Sequence, residues 1–130
     1  MTEFAYLDAS AIVKLVIAEP GSDHMHRWYV EARRVITSRV GIIETVRAAS
    51  RTRVDAPHLD RVLTDLEVVE LDAATGGTAA RAHPPTLRTL DAIHLATALA
   101  LLPDLDAFVT YDDRLADAAR AIGLPVVRPG

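Results

Sequence analysis

The sequence contains no cysteine and almost no lysine. Without cysteine, the chain can form neither a disulfide bond nor a thiolate metal site, and this composition suits a reducing compartment. Lys14 is the only lysine among 14 basic residues, and arginine supplies the rest. Arginine suits bidentate contacts with phosphates, although a bias in genomic composition explains the excess equally well. A mechanism that requires a lysine would have to use Lys14.

Positive charge and aromatic side chains are also scarce. The net charge at pH 7 is −4, and only 5% of the residues are aromatic. Proteins that hold nucleic acid through bulk charge are usually basic, and those that stack bases need grouped aromatic side chains. The composition therefore excludes both of these modes of binding, but it does not exclude nucleic-acid chemistry at a local site.

No segment has the composition of a membrane anchor or of a signal peptide. The apolar runs are shorter than the roughly 20 residues that span a bilayer. The N-terminus lacks a basic segment followed by an apolar stretch. A chain of 130 residues is long enough for one domain with one core. We therefore expect a single domain over residues 1–130, located in the cytoplasm and not attached to a membrane.

Hydrophobic periodicity predicts strands that alternate with helices. Strands are predicted at 3–8, 35–38, 67–72, 106–111 and 125–128, and helices at 9–19, 22–34, 41–53, 58–66, 73–82, 87–102 and 112–123. Strands separated by helices favour a parallel sheet that is covered on both faces. The predicted fold class is α/β, in the form of a three-layer α/β/α domain with a central parallel sheet.

The segment RTLDAIHLATAL at 88–99 places a carboxylate at the start of an apolar helix. Only His94 and Thr97 interrupt the apolar run, so most sides of the helix should be buried. Thr89 could cap the helix, and the helix dipole would then stabilise Asp91 by about 0.3–1 kcal/mol. Burial of an ion costs several kcal/mol even after relaxation. Something else is therefore expected to compensate the charge of Asp91.

Three other acids lie in apolar surroundings. Asp8 ends the first predicted strand in YLDASAIV, and Asp112 follows the fourth in FVTYDDRL. Both would emerge at the carboxyl edge of the sheet, where open α/β sheets bind ligands. Glu44 lies among isoleucine and valine in GIIETVRAAS. Each acid also has an ordinary alternative, because Asp8 and Asp112 could cap helices and Glu44 could form an exposed pair with Arg47.

Only the tertiary structure could bring these four acids together, since they lie far apart in the sequence. Four carboxylates in one pocket repel each other unless some stay protonated or a cation enters. A site made only of carboxylates suits the hard cations Mg²⁺ and Mn²⁺. Such ions commonly serve phosphoryl chemistry, because they activate water and neutralise charge on phosphate oxygens.

Four segments of the chain resemble, in order, the four acidic motifs of PIN-domain ribonucleases, and in particular those of the VapC toxins of bacterial toxin–antitoxin systems. These segments are YLDASAIVKL, TSRVGIIETVRA, LRTLDAIHLATAL and VTYDDRLADAARAIGLPVV. Together they span nearly the whole chain, and their order and the chain length both fit the family.

The resemblance implies a PIN-like fold and a Mg²⁺- or Mn²⁺-dependent endoribonuclease that acts as a toxin. The implied metal ligands and catalytic residues are Asp8, Glu44, Asp91 and Asp112. The resemblance also implies a small VapB-type antitoxin whose tail enters the active-site groove. Family members usually form dimers, so a homodimer within the toxin–antitoxin complex is expected.

The last motif contains two adjacent acids. The spacing from Thr110 favours Asp112 over Asp113 as the motif acid, because the threonine matches the hydroxyl of the family pattern. Asp113 is then either a helix cap or a further negative charge at the site. Ser10 and Thr110 are hydroxyls that could orient the carboxylates, or they could belong to ordinary caps and turns.

Basic and histidine side chains near the motifs are weaker candidates. Arg47 and Arg51 lie one turn apart on the helix of Glu44, so they could bind RNA phosphates or antitoxin carboxylates. They could equally be solvated surface residues. His94 lies one turn after Asp91 in an otherwise apolar helix, and we expect it to be structural rather than a general base.

Two other classes of function are compatible with part of this pattern. A phosphotransfer domain that forms an aspartyl phosphate also places an aspartate after its first strand. That class needs a lysine further along the fold, whereas Lys14 directly follows Asp8. Its phosphatase members also need a second acid at position 10, where this chain has Ser10. The other class is a non-catalytic interaction module in which the acids are inert caps.

Overall fold

The computed structural model describes residues 2–130. The strands are β1 (Phe4–Leu7), β2 (Arg34–Ser38), β3 (Glu67–Val69), β4 (Ala107–Val109) and β5 (Val126–Val127). The helices are α1 (Ala9–Val16), α2 (Ser22–Glu31), α3 (Arg39–Ser50), α4 (Ala56–Asp65), α5 (Ala73–Ala80), α6 (Thr89–Leu99) and α7 (Asp113–Ala121). The strands form one sheet with the order β3-β2-β1-β4-β5, and all neighbours are parallel.

Apolar side chains cover both faces of this sheet. Ala5 and Leu7 of β1 point into one core, which they share with α1, α2, α4 and one side of α3. Phe4 and Tyr6 point into the other core, which they share with α6 and α7. This alternation follows from the two-residue period of a strand, with one helical layer on each side. The predicted three-layer α/β/α architecture with a parallel sheet is therefore confirmed.

The twelve predicted elements all occur, but several boundaries differ. Helix α3 starts at Arg39, earlier than expected, because Ser38 Oγ accepts a hydrogen bond from the Gly41 N–H at 3.2 Å and caps the helix. Helix α6 is shorter than expected. Thr89 is its first residue and not its cap, and the cap position is occupied by Arg88, whose side chain makes no capping bond.

Helix α6 is buried as predicted, from Ala92 to Ala98 without interruption. The two polar residues in this buried stretch, His94 and Thr97, form hydrogen bonds with other groups of the protein, as buried polar groups generally do. Thr97 Oγ1 donates to the Ile93 carbonyl oxygen at 2.7 Å, and His94 bonds to side chains described below. None of the helices formed by residues 2–130 has both the length and the apolar character that a membrane crossing requires.

The strand order places a switch point between β1 and β4. The chain fills one half of the sheet with β2 and β3, then crosses to the other half with β4 and β5. Open α/β sheets bind ligands at such a point, beyond the carboxyl ends of the strands. Because Leu7 pairs with Val109 in the parallel register, the next residues, Asp8 and Thr110, lie side by side at this edge.

Helix α3 approaches the sheet closely at Gly41. A Cβ atom at Gly41 would lie 2.2 Å from Thr37 Oγ1 and 3.3 Å from His94 Cε1. A Cβ atom at Gly76 in α5 would meet nothing within 4 Å. The absence of a side chain at Gly41 therefore allows α3 to lie close to Thr37 in β2 and to His94 in α6.

These two helical glycines give a matched prediction. Gly76→Ala should stabilise the protein by about 0.5–1 kcal/mol, because alanine loses less backbone entropy on folding. Gly41→Ala should instead destabilise it by about 1–3 kcal/mol through overpacking. Urea unfolding of both variants measures the difference, and adding Thr37→Ala should restore part of the loss in Gly41→Ala. Equal unfolding midpoints for Gly41→Ala and Gly76→Ala would contradict the close approach.

Candidate active site

Asp8 is buried at the carboxyl end of β1, and its side chain caps α1. Oδ1 accepts hydrogen bonds from the Ala11 N–H at 3.0 Å and from Ser10 Oγ at 2.7 Å. Oδ2 accepts a hydrogen bond from Thr110 Oγ1 at 2.6 Å. Asp8 is therefore a helix cap, as one alternative expected, and it is also an ionisable group at the switch point of the sheet.

The hydroxyls of Ser10 and Thr110 connect β1 to the chain that follows β4. The Tyr111 N–H donates to Ser10 Oγ at 2.8 Å, and the Asp112 N–H donates to Thr110 Oγ1 at 3.0 Å. Each hydroxyl thus accepts a hydrogen bond from the backbone and donates one to Asp8. A hydroxyl that is fixed in this way orients the carboxylate to which it donates.

The two adjacent acids of the last motif point to different surroundings. Asp112 caps α7 by accepting from the Leu115 N–H at 3.0 Å, and it remains partly exposed. Asp113 is the first residue of α7, with its side chain 87% exposed and 2.7 Å from Arg128 Nη2. Asp112 is therefore the member of this pair that faces the other predicted acids.

Glu44 does not form the exposed pair with Arg47 that was one expectation for it. Its Oε1 lies 2.7 Å from His94 Nε2, and its side chain is 27% exposed. The other ring nitrogen of His94, Nδ1, lies 2.6 Å from the hydroxyl of Tyr6. Because both ring nitrogens are engaged, His94 is not placed to take a proton from a substrate.

Asp8, Glu44, Asp91 and Asp112 line one cavity of about 250 Å³, which we call the acidic cavity. Asp8 caps α1, Asp112 caps α7, and Asp91 is the third residue of α6. Three helix N-termini thus meet the cavity, and their partial positive charge offsets part of the acidic charge. The structure brings together the four acids that were predicted from separate parts of the sequence.

Two carboxylates of the acidic cavity, those of Asp8 and Asp91, are held in conditions that disfavour their charged forms. Burial raises the pKa of Asp8 above its ordinary value, against the opposing effects of His94 and of three hydrogen bonds. Burial also raises the pKa of the half-buried Asp91, and the negative charges of Asp112, Asp8 and Glu44 raise it further. Added positive charge in the cavity would therefore stabilise the charged forms of both carboxylates.

The donors in the acidic cavity are those that a hard cation prefers, but they do not close around one point. No three His, Asp or Glu side chains within residues 2–130 lie close enough together to hold an ion between them. Mg²⁺, however, usually keeps several waters and binds through only one or two carboxylates. The residues therefore fit a partly hydrated divalent cation and not one enclosed by protein ligands.

A larger groove adjoins the acidic cavity and shares four residues with it, namely Ala9, Ser10, Glu44 and Leu90. This groove has a volume of about 480 Å³, and it contains the side chains of Arg47 and Arg51, both exposed. We call it the arginine groove. An anionic chain that lay in it would pass directly from the two guanidinium groups to the acidic cavity.

The fold and the site define an α/β protein with clustered carboxylates at the switch point of a parallel sheet. Residues 5–121 match the PIN domain. The chain therefore belongs to the PIN-domain family, as the resemblance of its four motifs implied.

Several proteins are similar to this chain along almost their whole length. Ribonuclease VapC46 of Mycobacterium tuberculosis is 41% identical, covering 95% of this chain and 96% of the relative. Ribonuclease VapC35 of the same species is 43% identical, covering 96% of each. The structure of Mycobacterium tuberculosis VapC20 matches with a TM-score of 0.73 at 18% identity, covering 96% of this chain and 99% of the other. VapBC2 from Rickettsia felis gives a TM-score of 0.69 at 14% identity, covering 96% and 98%. The two structural matches support the fold.

Sequence reasoning missed the contacts of Tyr6 and the bond from His94 to Glu44. A signal for them was present, because a tyrosine hydroxyl in a buried strand and an imidazole in a buried helix each need a partner. The sequence does not say which partner, since Tyr6 and His94 are 88 residues apart. Only the packing of α6 against the sheet joins them.

Two wholly buried threonines give a matched prediction about Asp8. Thr110→Val should destabilise the protein by about 1–3 kcal/mol, because it leaves one oxygen of the buried Asp8 carboxyl group without its hydrogen bond. Thr45 is also fully buried, and its hydroxyl has no hydrogen-bond partner in the part of the chain that the structure describes. Thr45→Val should therefore be neutral or stabilising. Urea unfolding measures the stability of both variants. An equal loss of stability in Thr45→Val and Thr110→Val would contradict the role of Thr110 as a hydrogen-bond donor to Asp8.

The raised pKa of Asp91 predicts how stability depends on pH. A carboxyl whose pKa is higher in the folded than in the unfolded state makes the folded state bind more protons between the two values. Without divalent cations, stability from this group should therefore increase as the pH falls from neutral through the raised value. It should stop increasing near the ordinary aspartate value of about 3.9.

Asp91→Asn removes this effect and should raise the melting temperature in EDTA at pH 7. The advantage of the variant should disappear below the ordinary pKa range of aspartate, because Asp91 is then neutral in both states. Thermal melts between pH 3 and 7 measure it, with Asp113→Asn as the control for loss of an exposed acid. A variant that melts below the wild type at pH 7 would indicate that Asp91 stabilises the start of α6.

Proposed function

We propose that this chain is the toxin of a type II toxin–antitoxin pair and acts as an endoribonuclease that depends on Mg²⁺ or Mn²⁺. The observation that carries the proposal is the meeting of Asp8, Glu44, Asp91 and Asp112 in one cavity at the switch point. Relatives with 41% and 43% identity over nearly the whole chain are named ribonucleases. One more distant structural neighbour is described as a toxin that cleaves the sarcin–ricin loop.

The chemistry of the cavity agrees with phosphodiester cleavage. The four carboxylates supply hard oxygen donors, and Asp8 is oriented by the hydroxyls of Ser10 and Thr110. A divalent cation bound there supplies positive charge to the phosphate and makes a water molecule more acidic. The carboxylates alone would repel a phosphate, so the acidic cavity needs such a cation before RNA can approach it.

The arginine groove supplies a path for the rest of the RNA. Arg47 and Arg51 are exposed there, and a guanidinium group suits bidentate contact with phosphate. The protein as a whole is acidic, with a net charge of −4, so binding would rest on these local contacts and not on bulk charge. We propose unpaired regions of RNA in the cytoplasm as the substrate class.

The same two regions suit a protein inhibitor. The proposed partner is a VapB-type antitoxin, whose tail would place acidic groups near the arginine groove and a basic group in the acidic cavity. A structural neighbour at 14% identity is a VapBC2 complex bound to promoter DNA. We also propose that the toxin forms a homodimer within its antitoxin complex, as members of this family usually do.

The alternative of an aspartyl-phosphate phosphotransfer domain is disfavoured by Lys14. Its ammonium donates to Glu19 Oε1 at 3.0 Å and to the Pro20 carbonyl oxygen at 2.7 Å, so its donors are committed away from Asp8. The alternative of an inert interaction module explains Asp8 and Asp112 as caps. It does not explain why Asp91 is held beside other acids with a raised pKa.

Cleavage assays with single acid-to-amide variants test the proposed function. Asp8→Asn, Glu44→Gln, Asp91→Asn and Asp112→Asn should each lower the rate by at least about tenfold. Removing a group that only supports a metal ligand already costs about 10–100-fold, so a ligand should cost more. The losses should not add in double variants, because the four acids act as one cluster. Cleavage of an unstructured RNA with Mg²⁺ or Mn²⁺ measures these rates.

Asp113→Asn is the matched control, since Asp113 adjoins Asp112 in sequence but is exposed and pairs with Arg128. It should cleave at nearly the wild-type rate. The wild type should lose activity in excess EDTA and recover it when Mg²⁺ is restored. Undiminished cleavage by Asp91→Asn, or by the wild type in EDTA, would rule out the proposed metal-dependent mechanism.

A further inference from the structure

A chain of two hydrogen bonds runs from the interior of the sheet to the acidic cavity. Tyr6 Oη lies 2.6 Å from His94 Nδ1, and His94 Nε2 lies 2.7 Å from Glu44 Oε1. Tyr6 in β1 is wholly buried, and His94 in α6 is 1% exposed. Glu44 on α3 is partly exposed and lines the cavity. Three elements that are separate in sequence, β1, α6 and α3, are therefore joined by consecutive hydrogen bonds.

When the imidazole is neutral, these two hydrogen bonds allow one consistent arrangement of hydrogens. An ionised Glu44 can only accept a hydrogen bond, so His94 Nε2 must carry the hydrogen. Nδ1 is then an acceptor, and the hydroxyl of Tyr6 must donate to it. Burial raises the pKa of Tyr6 above its ordinary value, and the hydroxyl therefore keeps the proton that it donates.

The imidazole ring of His94 is also fixed by packing. It meets the Tyr6 ring edge to face, with centroids 5.7 Å apart and an angle of 72° between the planes. On the side of α3, a Cβ atom at Gly41 would come within 3.3 Å of Cε1. The ring therefore packs against Tyr6 on one side and lies close to α3 on another.

Glu44 has an alternative partner that it does not use. Arg47 lies three residues further along α3, at a spacing at which acidic and basic side chains attract each other. Without His94, the flexible glutamate would be free to turn toward Arg47 and the arginine groove. The bond from Nε2 instead holds Oε1 at the acidic cavity and leaves the second carboxylate oxygen available for a ligand.

We propose that Tyr6 and His94 are positioning residues for Glu44. Tyr6 donates a hydrogen bond to Nδ1 and holds the ring of His94, and the Nε2–H of His94 fixes the glutamate at the acidic cavity. This inference rests on the proposed function, because it treats Glu44 as one of the groups that bind the divalent cation. It makes His94 neither a general base nor a ligand, and it explains a histidine inside an apolar helix.

A titration with Mn²⁺ tests the positioning of Glu44 without RNA. Electron paramagnetic resonance of the free ion measures how much Mn²⁺ is bound. His94→Leu removes the donor and should weaken Mn²⁺ binding by about tenfold, as loss of a group that orients a ligand typically does. His94→Gln places an amide N–H near the position of Nε2 and should restore most of the affinity. Thr97→Val, another buried change on α6, should leave the affinity unchanged.

A double-variant cycle separates positioning from a general packing defect. In the Glu44→Gln background, His94→Leu should cause little further loss of Mn²⁺ affinity, because its effect passes through Glu44. Equal losses in both backgrounds would overturn the proposal. Wild-type Mn²⁺ affinity in His94→Leu would also overturn it. Failure of His94→Gln to restore Mn²⁺ binding would do the same, provided that this variant has the melting temperature of the wild type.

Nitrogen-15 NMR of the histidine rings in the metal-free protein tests the part played by Tyr6. The wild type should show His94 with its hydrogen on Nε2. Tyr6→Phe should leave the hydrogen on Nε2, because Glu44 still accepts it, and should shift the Nδ1 resonance to that of a ring nitrogen without a hydrogen bond. An unchanged Nδ1 resonance in a folded Tyr6→Phe protein would overturn this part of the proposal.

The outcomes distinguish this inference from the proposed function. If the wild type binds Mn²⁺ and cleaves RNA while His94→Leu behaves like it, the positioning fails and the ribonuclease function stands. If the wild type neither binds Mn²⁺ nor cleaves RNA, the proposed function fails, and the role assigned to His94 toward a bound cation fails with it. The NMR measurement then still decides whether Tyr6 donates a hydrogen bond to the ring.

Discussion

The burial of the Asp8 carboxylate is the constraint on which this site depends. Its charged form is disfavoured by desolvation, and hydrogen bonds from Ser10, Ala11 and Thr110 recover part of that cost. The bond from Thr110 forms only because β4 lies directly beside β1 in the observed register. The order of the strands therefore helps to determine how well the Asp8 carboxylate is stabilised. A different neighbour for β1 would leave Asp8 without this donor.

The charged form of Asp91 is disfavoured both by burial and by the other acids of the cavity. The negative charges of Asp112, Asp8 and Glu44 add to the desolvation of Asp91. Arg88 contributes to the lining of the cavity, yet it is exposed and pairs with none of these acids. Proteins generally keep such unfavourable arrangements only at functional sites and compensate for them elsewhere. Here the compensation comes from helix N-termini and from two large apolar cores.

The four acids reach the cavity by two different routes. Asp8 and Asp112 follow parallel strands and cap the next helices, so the backbone alone directs them there. Glu44 lies one turn into α3, and its direction depends on a hydrogen bond from another helix. The close approach of α3 at Gly41 makes that bond possible. A site of this kind can lose its geometry through a change in packing that touches no acid.

The sequence by itself determined the α/β class, the alternation of strands and helices, and the four acids. Hydrophobic periodicity is local, and so is the preference of aspartate for the end of a strand and the start of a helix. The motif resemblance also singled out Asp112 over Asp113, and the structure turns Asp113 outward to Arg128. Each of these inferences rests on residues within a few positions of each other.

Only the tertiary structure decided which groups meet. Thr110 is 102 residues from Asp8, and His94 is 50 residues from Glu44. Such contacts depend on strand order and on the depth at which each helix packs, neither of which leaves a local pattern. The same holds for the start of α6, where a threonine that looked like a cap is the first helical residue. The sequence could name the polar groups that need partners, but partners for buried groups are set by how the layers fit together.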